Sequence, residues 1–438
     1  MLGGPFKFPE IFMPNIIIIT THDTGRHFGC YGVDTVHTPA IDAIADDGFK
    51  FTNYFTTSPV CSPSRGAMLT GRYPQSNGLI GLTHSPWDWC FNEGERHLSH
   101  ILRDAGYYTA LFGLQHEASN TEDLGFEATF AQRDDNGRRA NALVVAEALA
   151  DFLRTDAGYR TPFYAQVGFF ETHRPHDFGD VGPDDSKGID VPPYLVDDEM
   201  SRREFALQQG AIRRVDEAVQ IITDALRESG LEDDTLLVFT VDHGIEFPRA
   251  KWFCYDAGIG VALLMRWPGG GVRGGQCCDH LLSNVDFLPT LMDLIQHPVP
   301  DNVEGLSFAS VFKDPDAEPT RDAAFSIFQG SDSRSVRTDR YKFIRNFSPR
   351  RLIDVPVDMT DPPRPRIKQP VAQLYDLEND PNEFEDVADK PEYRDVYNAL
   401  SQRLWQWMED VNDPSLQSPI PTPYYWEAMA EYNTRKEG

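Results

Sequence analysis

Cys61 is the first candidate nucleophile, in the string Cys61-Ser62-Pro63-Ser64-Arg65 that continues to Leu69-Thr70-Gly71. Pro63 suits the first turn of a helix, where its missing N–H costs little. That sets Cys61 at a helix N-terminus, whose dipole and free N–H groups favour an anion. Arg65 then stands close enough to balance charge on whatever Cys61 carries. A buried cysteine ahead of a short helix would read the same over the pentapeptide alone.

A second set of residues follows apolar runs that read as strands. His22-Asp23 comes directly after Asn15–Thr21, Asp242-His243-Gly244 after Thr235–Val241, and His173 just beyond Phe163–Phe169. His116 follows the run near Tyr107–Phe112, and Lys251 lies shortly after the Asp-His-Gly tripeptide. Ligands and catalytic groups of open α/β sheets gather at the carboxyl ends of strands. Imidazole suits proton transfer near neutral pH and is also a frequent metal ligand. Alone, each of these has a bland reading: a capping aspartate, a satisfied histidine, a solvated lysine.

The elements that must hold these residues alternate. Asn15–Thr21 is a β-branched run of the kind buried on both faces of a parallel sheet. Thr38-Pro39 opens a helix that Gly48 closes, and Phe49–Phe55 reads as a strand. Helices are predicted near His97–Asp104, Asn141–Arg154 and Asp286–Ile295, with a further strand at Val261–Arg266. The clearest helix is Met200–Ser229, where Ile212, Val215, Val219, Ile222 and Leu226 form one apolar stripe ahead of Gly230. This alternation predicts an α/β sandwich with a large, mainly parallel central sheet. Short strands at Ala324–Phe328, Arg334–Arg337, Tyr341–Asn346 and Gln373–Leu377, then a helix near Tyr393–Met408, predict a smaller antiparallel α+β unit. The boundary is set at 1–315 and 316–438, and the proline-rich segment Ile353–Pro370 is read as a loop.

The chain of 438 residues carries 68 acidic and 40 basic side chains, a formal charge of −28. Such a surface argues against nucleic acid or an anionic membrane as partner, so an anionic substrate needs a locally cationic site. No run approaches a membrane span, and the start shows no secretory pattern, which predicts a cytoplasmic protein. The six cysteines show no repeated CxxC spacing, which argues against a zinc ribbon.

Taken whole, the Cys61–Gly71 string resembles the type I sulfatases of the alkaline phosphatase superfamily, and the resemblance spans nearly the whole chain. Arg334-Ser335-Val336-Arg337 and Leu374-Tyr375-Asp376-Leu377 look like the C-terminal domain of that family. Trp405-Gln406-Trp407, Asp413-Pro414, Gly244-Ile245 and Phe247-Pro248 look most like its sulfamidase branch. The resemblance implies that a maturation enzyme oxidises Cys61 to formylglycine. One oxygen of the hydrated aldehyde attacks sulfur, and the other later expels sulfate, an exit a plain serine ester lacks.

It further implies Asp23, Asp242, His243 and the modified Cys61 as metal ligands, with His22 open as a fifth. Arg65 would hold the diol and Lys251 the sulfate, while His173 protonates the leaving group and His116 acts on the nucleophile. Two departures stand out. His22 replaces an aspartate, and Leu114 stands where the family commonly has lysine. Calcium is the usual family metal, but imidazoles beside Asp23 and Asp242 favour manganese. The implied substrate is a small sulfated carbohydrate. A phosphonate or phosphate ester hydrolase of the same superfamily, and an anion-binding protein without turnover, are the alternatives.

Overall fold

The computed structural model describes residues 13–157, 160, 162–314, 317–329, 332–348 and 369–420. The expected boundary at 315/316 and residues 353–368 of the proline-rich segment lie outside these. So do the first twelve residues, on which the reading of the start rested.

Strands β1 (Asn15–Thr21), β2 (Phe49–Phe51), β3 (Tyr54–Phe55), β4 (Tyr108–Gly113), β5 (Ala128–Phe130), β6 (Phe163–Gly168), β7 (Thr235–Val241), β8 (Leu263–Arg266), β9 (Gln276–Cys278) and β10 (Leu282–Ser283) come first in the chain. All but β3 and β10 form one sheet in the order β5-β4-β6-β1-β7-β8-β2-β9. It is parallel except at β8, which runs antiparallel to both β7 and β2. The expected strand over 49–55 is broken at Thr52-Asn53, and its second half pairs instead with β10. Every residue of β1, β6 and β7 is buried, as their unbroken apolar runs require.

Helices α1 (Pro39–Asp47), α2 (Cys61–Thr70), α3 (Pro74–Asn77), α4 (Leu98–Asp104), α5 (Ala142–Thr155), α6 (Glu199–Glu228), α7 (Asp256–Ile259) and α8 (Phe287–Leu294) fill the connections. Asp198 caps α6 by accepting from Ser201 N–H at 2.8 Å. The stripe of α6 is fully buried and packs with α1 and α5, each large side chain contributing on the order of 2 kcal/mol.

A second, antiparallel sheet has the order β11 (Ala324–Phe328), β12 (Ser333–Arg337), β13 (Tyr341–Asn346), β14 (Ala372–Asp376), with helix α9 (Arg394–Asp410) across β12 and β13. It is docked directly behind the candidate nucleophile. Val60 and Cys61 pack in one apolar cluster with Phe328, Ile344, Tyr375 and Leu377. Ile327 N–H donates to Thr57 O at 2.8 Å, and the Ser326 hydroxyl donates to Thr56 O at 2.7 Å. Among the described residues, no helix is long and apolar enough to cross a membrane.

Candidate active site

Register explains why residues far apart in sequence meet. Thr20 of β1 pairs with Gly168 of β6 on one side and Thr240 of β7 on the other, and Gly168 also pairs with Gly113 of β4. Four neighbouring parallel strands therefore end level. The loops that follow them carry His22-Asp23, His116, His173 and Asp242-His243 to one rim. The loops after β1 and β7 are drawn tightly together. Gly25 N–H donates to His243 O at 3.0 Å, and a Cβ on Gly244 would lie 1.9 Å from Ala257 O. Glycine at position 244 is thus a packing requirement.

Asp242 organises the centre. Its Oδ1 accepts the backbone N–H of His243 at 2.8 Å and of Asp23 at 3.1 Å; the latter bond holds Asp23 at a φ of 43°. Its Oδ2 faces Arg65 Nε at 3.1 Å and His22 Nδ1 at 2.9 Å. Asp23 is the second carboxylate, with Oδ1 at 3.0 Å from His243 Nε2 and Oδ2 at 2.8 Å from Lys251 Nζ. All of these side chains are buried. Burial opposes charge on Asp23, but Lys251 and His243 outweigh it and hold that carboxyl well below its usual range. Burial likewise opposes the His243 imidazolium, yet Asp242 and Asp23 hold its pKa well above that of a free imidazole.

Cys61 is the first residue of α2, as the proline placed it, with Sγ 3.2 Å from His243 Nε2. The helix start is anchored from several sides. The Ser64 hydroxyl donates to Asp242 O, and Asn284 Nδ2 donates to Ser64 O at 2.9 Å. Burial, followed by the Asp242 charge, pushes the Cys61 thiol up. A thiol held protonated is a poor nucleophile at neutral pH.

Lys251 lies 3.2 Å from Glu246 Oε2 and 3.5 Å from His173 Nε2, so His173 stands at the mouth, partly exposed. The His116 ring lies 5.0 Å from that of His22, and buried His116 Nδ1 has no hydrogen-bond partner. Leu114 is half-buried. Gln115, next to Leu114, is turned into its own loop. Its Nε2 donates to Ala118 O at 2.8 Å, and its Oε1 accepts from Glu117 N–H at 2.8 Å and Ala118 N–H at 2.9 Å.

The sequence reading missed Glu246, Glu117 and Asn284. Buried Glu117 accepts His116 N–H at 2.8 Å and Gln166 Nε2 at 3.2 Å, which fixes the His116 loop. Glu246 alone had a signal, lying between Asp242 and Lys251.

The donor set fits a divalent cation. His22, Asp23, Cys61 and Asp242 each offer a ligand atom within 4.8 Å of the others. His22 Nε2 is buried without a hydrogen-bond partner. Burial, with Arg65, lowers the His22 pKa to about 3, which keeps the imidazole neutral as ligation requires. His243 falls outside that group of four, although it touches Asp23 and Cys61.

A mainly parallel sandwich with carboxylates, imidazoles and buried cations around a helix-borne residue has the build of a hydrolase for anionic esters. The sulfatase family description matches residues 14–297, and the C-terminal description of N-sulphoglucosamine sulphohydrolase matches residues 246–364. The chain belongs to the sulfatase family, hydrolases of sulfuric esters. An ulvan-active sulfatase of Formosa agariphila is 27% identical over 433 residues, covering 94% of this chain and 83% of that protein. Human N-sulphoglucosamine sulphohydrolase is 26% identical over 465 residues, covering 92% of each. Among solved structures, one determined with its substrate D-glucosamine-2-N,6-O-disulfate superposes with a TM-score of 0.72 at 19% identity, covering 93% of this chain and 99% of that one. The phosphonate monoester hydrolase of Agrobacterium radiobacter gives 0.69 at 20%, covering 91% and 96%. Likeness at this identity speaks for the fold.

Proposed function

We propose that the protein hydrolyses a sulfate ester or sulfamate of a sulfated carbohydrate, using a formylglycine made from Cys61 by a maturation enzyme. The observation that carries this reading is Cys61 itself. It opens a buried helix among Arg65, Lys251 and His243, yet its thiol is held protonated and so ill suited to act unmodified. The substrate class rests on the relatives, whose names refer to ulvan and to N-sulphoglucosamine. The C-terminal match to N-sulphoglucosamine sulphohydrolase favours including sulfamates.

In this reading residues 1–315 carry the chemistry and 316–438 brace the start of α2 through Phe328, Ile344 and Tyr375. His22, Asp23, Asp242 and residue 61 hold one divalent metal, with His243 beside them. Manganese is preferred to calcium because His22 adds an imidazole to the set. The metal, once bound, supplies Lewis-acid stabilisation of negative charge. Arg65, fixed by Asp242 at 3.1 Å, orients residue 61. Lys251 neutralises charge on the sulfuryl oxygens. His173, at the mouth with Nε2 near Lys251, gives a proton to the departing oxygen or nitrogen. His116, beside His22, takes the proton from the second hydroxyl so that sulfate leaves.

A second reading, phosphonate or phosphate ester hydrolysis, is favoured by Leu114 and the Asp242-His243 pair. Matched aryl sulfate, sulfamate, phosphate and phosphonate substrates, given to matured protein, separate the two. Higher kcat/KM on sulfate or sulfamate is expected; higher values on phosphonate overturn the proposal. Anion binding without turnover of any of the four points to the non-catalytic alternative. In the same panel, His173→Ala should lose far more activity on poor leaving groups than on activated aryl esters. Equal losses reject its acid role.

A further inference from the structure

A cleft of about 520 Å3 opens beside the site. Its wall includes Leu114 and Gln115 beyond β4, Phe170 beyond β6, and Gln132, Arg133 and Arg139. Arg133 and Arg139 pair through an antiparallel bridge that closes a turn. Asp134 Oδ1 stabilises that turn by accepting Asn136 N–H at 2.9 Å and Arg138 N–H at 2.8 Å. Of the two acids in this turn, Asp134 is thus engaged with backbone and Asp135 is exposed.

The Arg139 guanidinium lies 4.5 Å from the centre of the Phe170 ring, and that ring stacks on His173 at 5.1 Å. A single aromatic ring therefore separates Arg139 from a residue of the candidate active site. Its charge also reaches the other side of the mouth. Burial, with the charges of His173 and Arg139, lowers the pKa of His84, whose ring lies 5.8 Å from that of His116.

Among the described residues, no carboxylate pairs with Arg133 or Arg139. Arg133 Nη1 donates to Gly137 O at 2.9 Å. Partial desolvation and the like charge of Arg133 lower the Arg139 pKa, with no acidic neighbour opposing them. Two adjacent uncompensated guanidinium groups are out of character for a chain of net charge −28. Such a pair costs stability unless an anion arrives to offset it, and guanidinium matches carboxylate or sulfate bidentately.

We propose that this cleft is a second anion subsite. Arg133 and Arg139 bind a carboxylate or sulfate on the sugar unit next to the one being cleaved, and so select doubly anionic substrates. The subsite rests on the sulfatase reading of the neighbouring centre for its role in specificity. Phe170 and Leu114 supply the apolar wall against which a sugar face can lie.

The test uses matured full-length protein and the Arg133→Gln/Arg139→Gln double variant. The substrates are a sulfated disaccharide with a neighbouring uronate, its carboxyl-reduced form, and the disaccharide with a second sulfate in place of the uronate. For wild type, the ratio of kcat/KM on an anion-bearing substrate to that on the reduced one is expected to exceed unity. In the variant that ratio should fall roughly tenfold or more, chiefly through KM. An Arg139→Lys variant should keep part of it. A fall confined to the uronate pair names a carboxylate as the ligand; one confined to the sulfate pair names a sulfate. Ratios unchanged on both overturn the proposal. Calorimetric binding of the unsulfated uronate disaccharide reads the subsite without turnover. If no sulfate is hydrolysed, the function reading falls, and this titration alone decides the subsite. Weaker binding by the double variant supports it, whereas equal or undetectable binding to both proteins overturns it.

Discussion

Lys251 Nζ lies 2.8 Å from Asp23 Oδ2, and both side chains are buried. The pair joins the loop after β1 to the loop after β7, so one contact links the candidate metal ligands to the candidate sulfate contact. Removing the cation leaves Asp23 as a buried carboxylate with His243 as its remaining close partner. Lys251→Ala should therefore lower stability by about 3 kcal/mol in denaturant unfolding. On matured protein it should also lower kcat by roughly 100-fold or more. A stable variant of unchanged kcat would show that the lysine is neither a structural nor a catalytic cation.

Much of this arrangement was legible before the fold was known, for physical reasons. Strands β1 and β7 are buried on both faces and had to be continuous apolar runs, so the residues at their ends could be read off directly. Pro63 marked the start of α2, and the stripe of α6 marked its buried face. Strands β5 and β9 were missed because they are three residues long and only partly buried, so neither needs an apolar run. The break at Thr52-Asn53 arises because β3 leaves the main sheet to pair with β10, a choice made by tertiary contact. Glu117 and Asn284 act through Gln166 and Ser64, and Arg139 through Phe170, contacts distant in sequence that no local pattern announces.

His22 adds an imidazole beside the carboxylates of Asp23 and Asp242, and its Nε2 is buried without a hydrogen-bond partner. Protein purified without added metal should therefore carry manganese or another transition ion. His22→Asp should shift the bound metal toward calcium. Elemental analysis of both proteins checks this. Calcium alone at full occupancy in the wild type would contradict it.

Asp216 offers a stability test away from the site. It is buried on α6, accepts Ile41 N–H at 2.9 Å, and burial raises its pKa to about 6. A carboxyl whose pKa rises on folding binds its proton more tightly in the folded state. Its contribution is full below pH 3.8 and is lost as pH rises through about 6. Asp216→Asn keeps the acceptor oxygen without the charge. It should gain stability over wild type across that window, by up to roughly 2 kcal/mol at pH 8. Denaturation midpoints at pH 4 and pH 8 check the sign. A difference that is constant with pH would show that Asp216 does not titrate as described.

The central claim turns on one covalent fact, the state of residue 61 in protein made by a host that matures sulfatases. The mass of the tryptic peptide Phe51–Arg65 reads it directly. The expected mass is that of an aldehyde or its hydrate in place of the thiol, appearing together with sulfatase activity. Full activity from a peptide that still carries the unmodified Cys61 thiol would contradict the account.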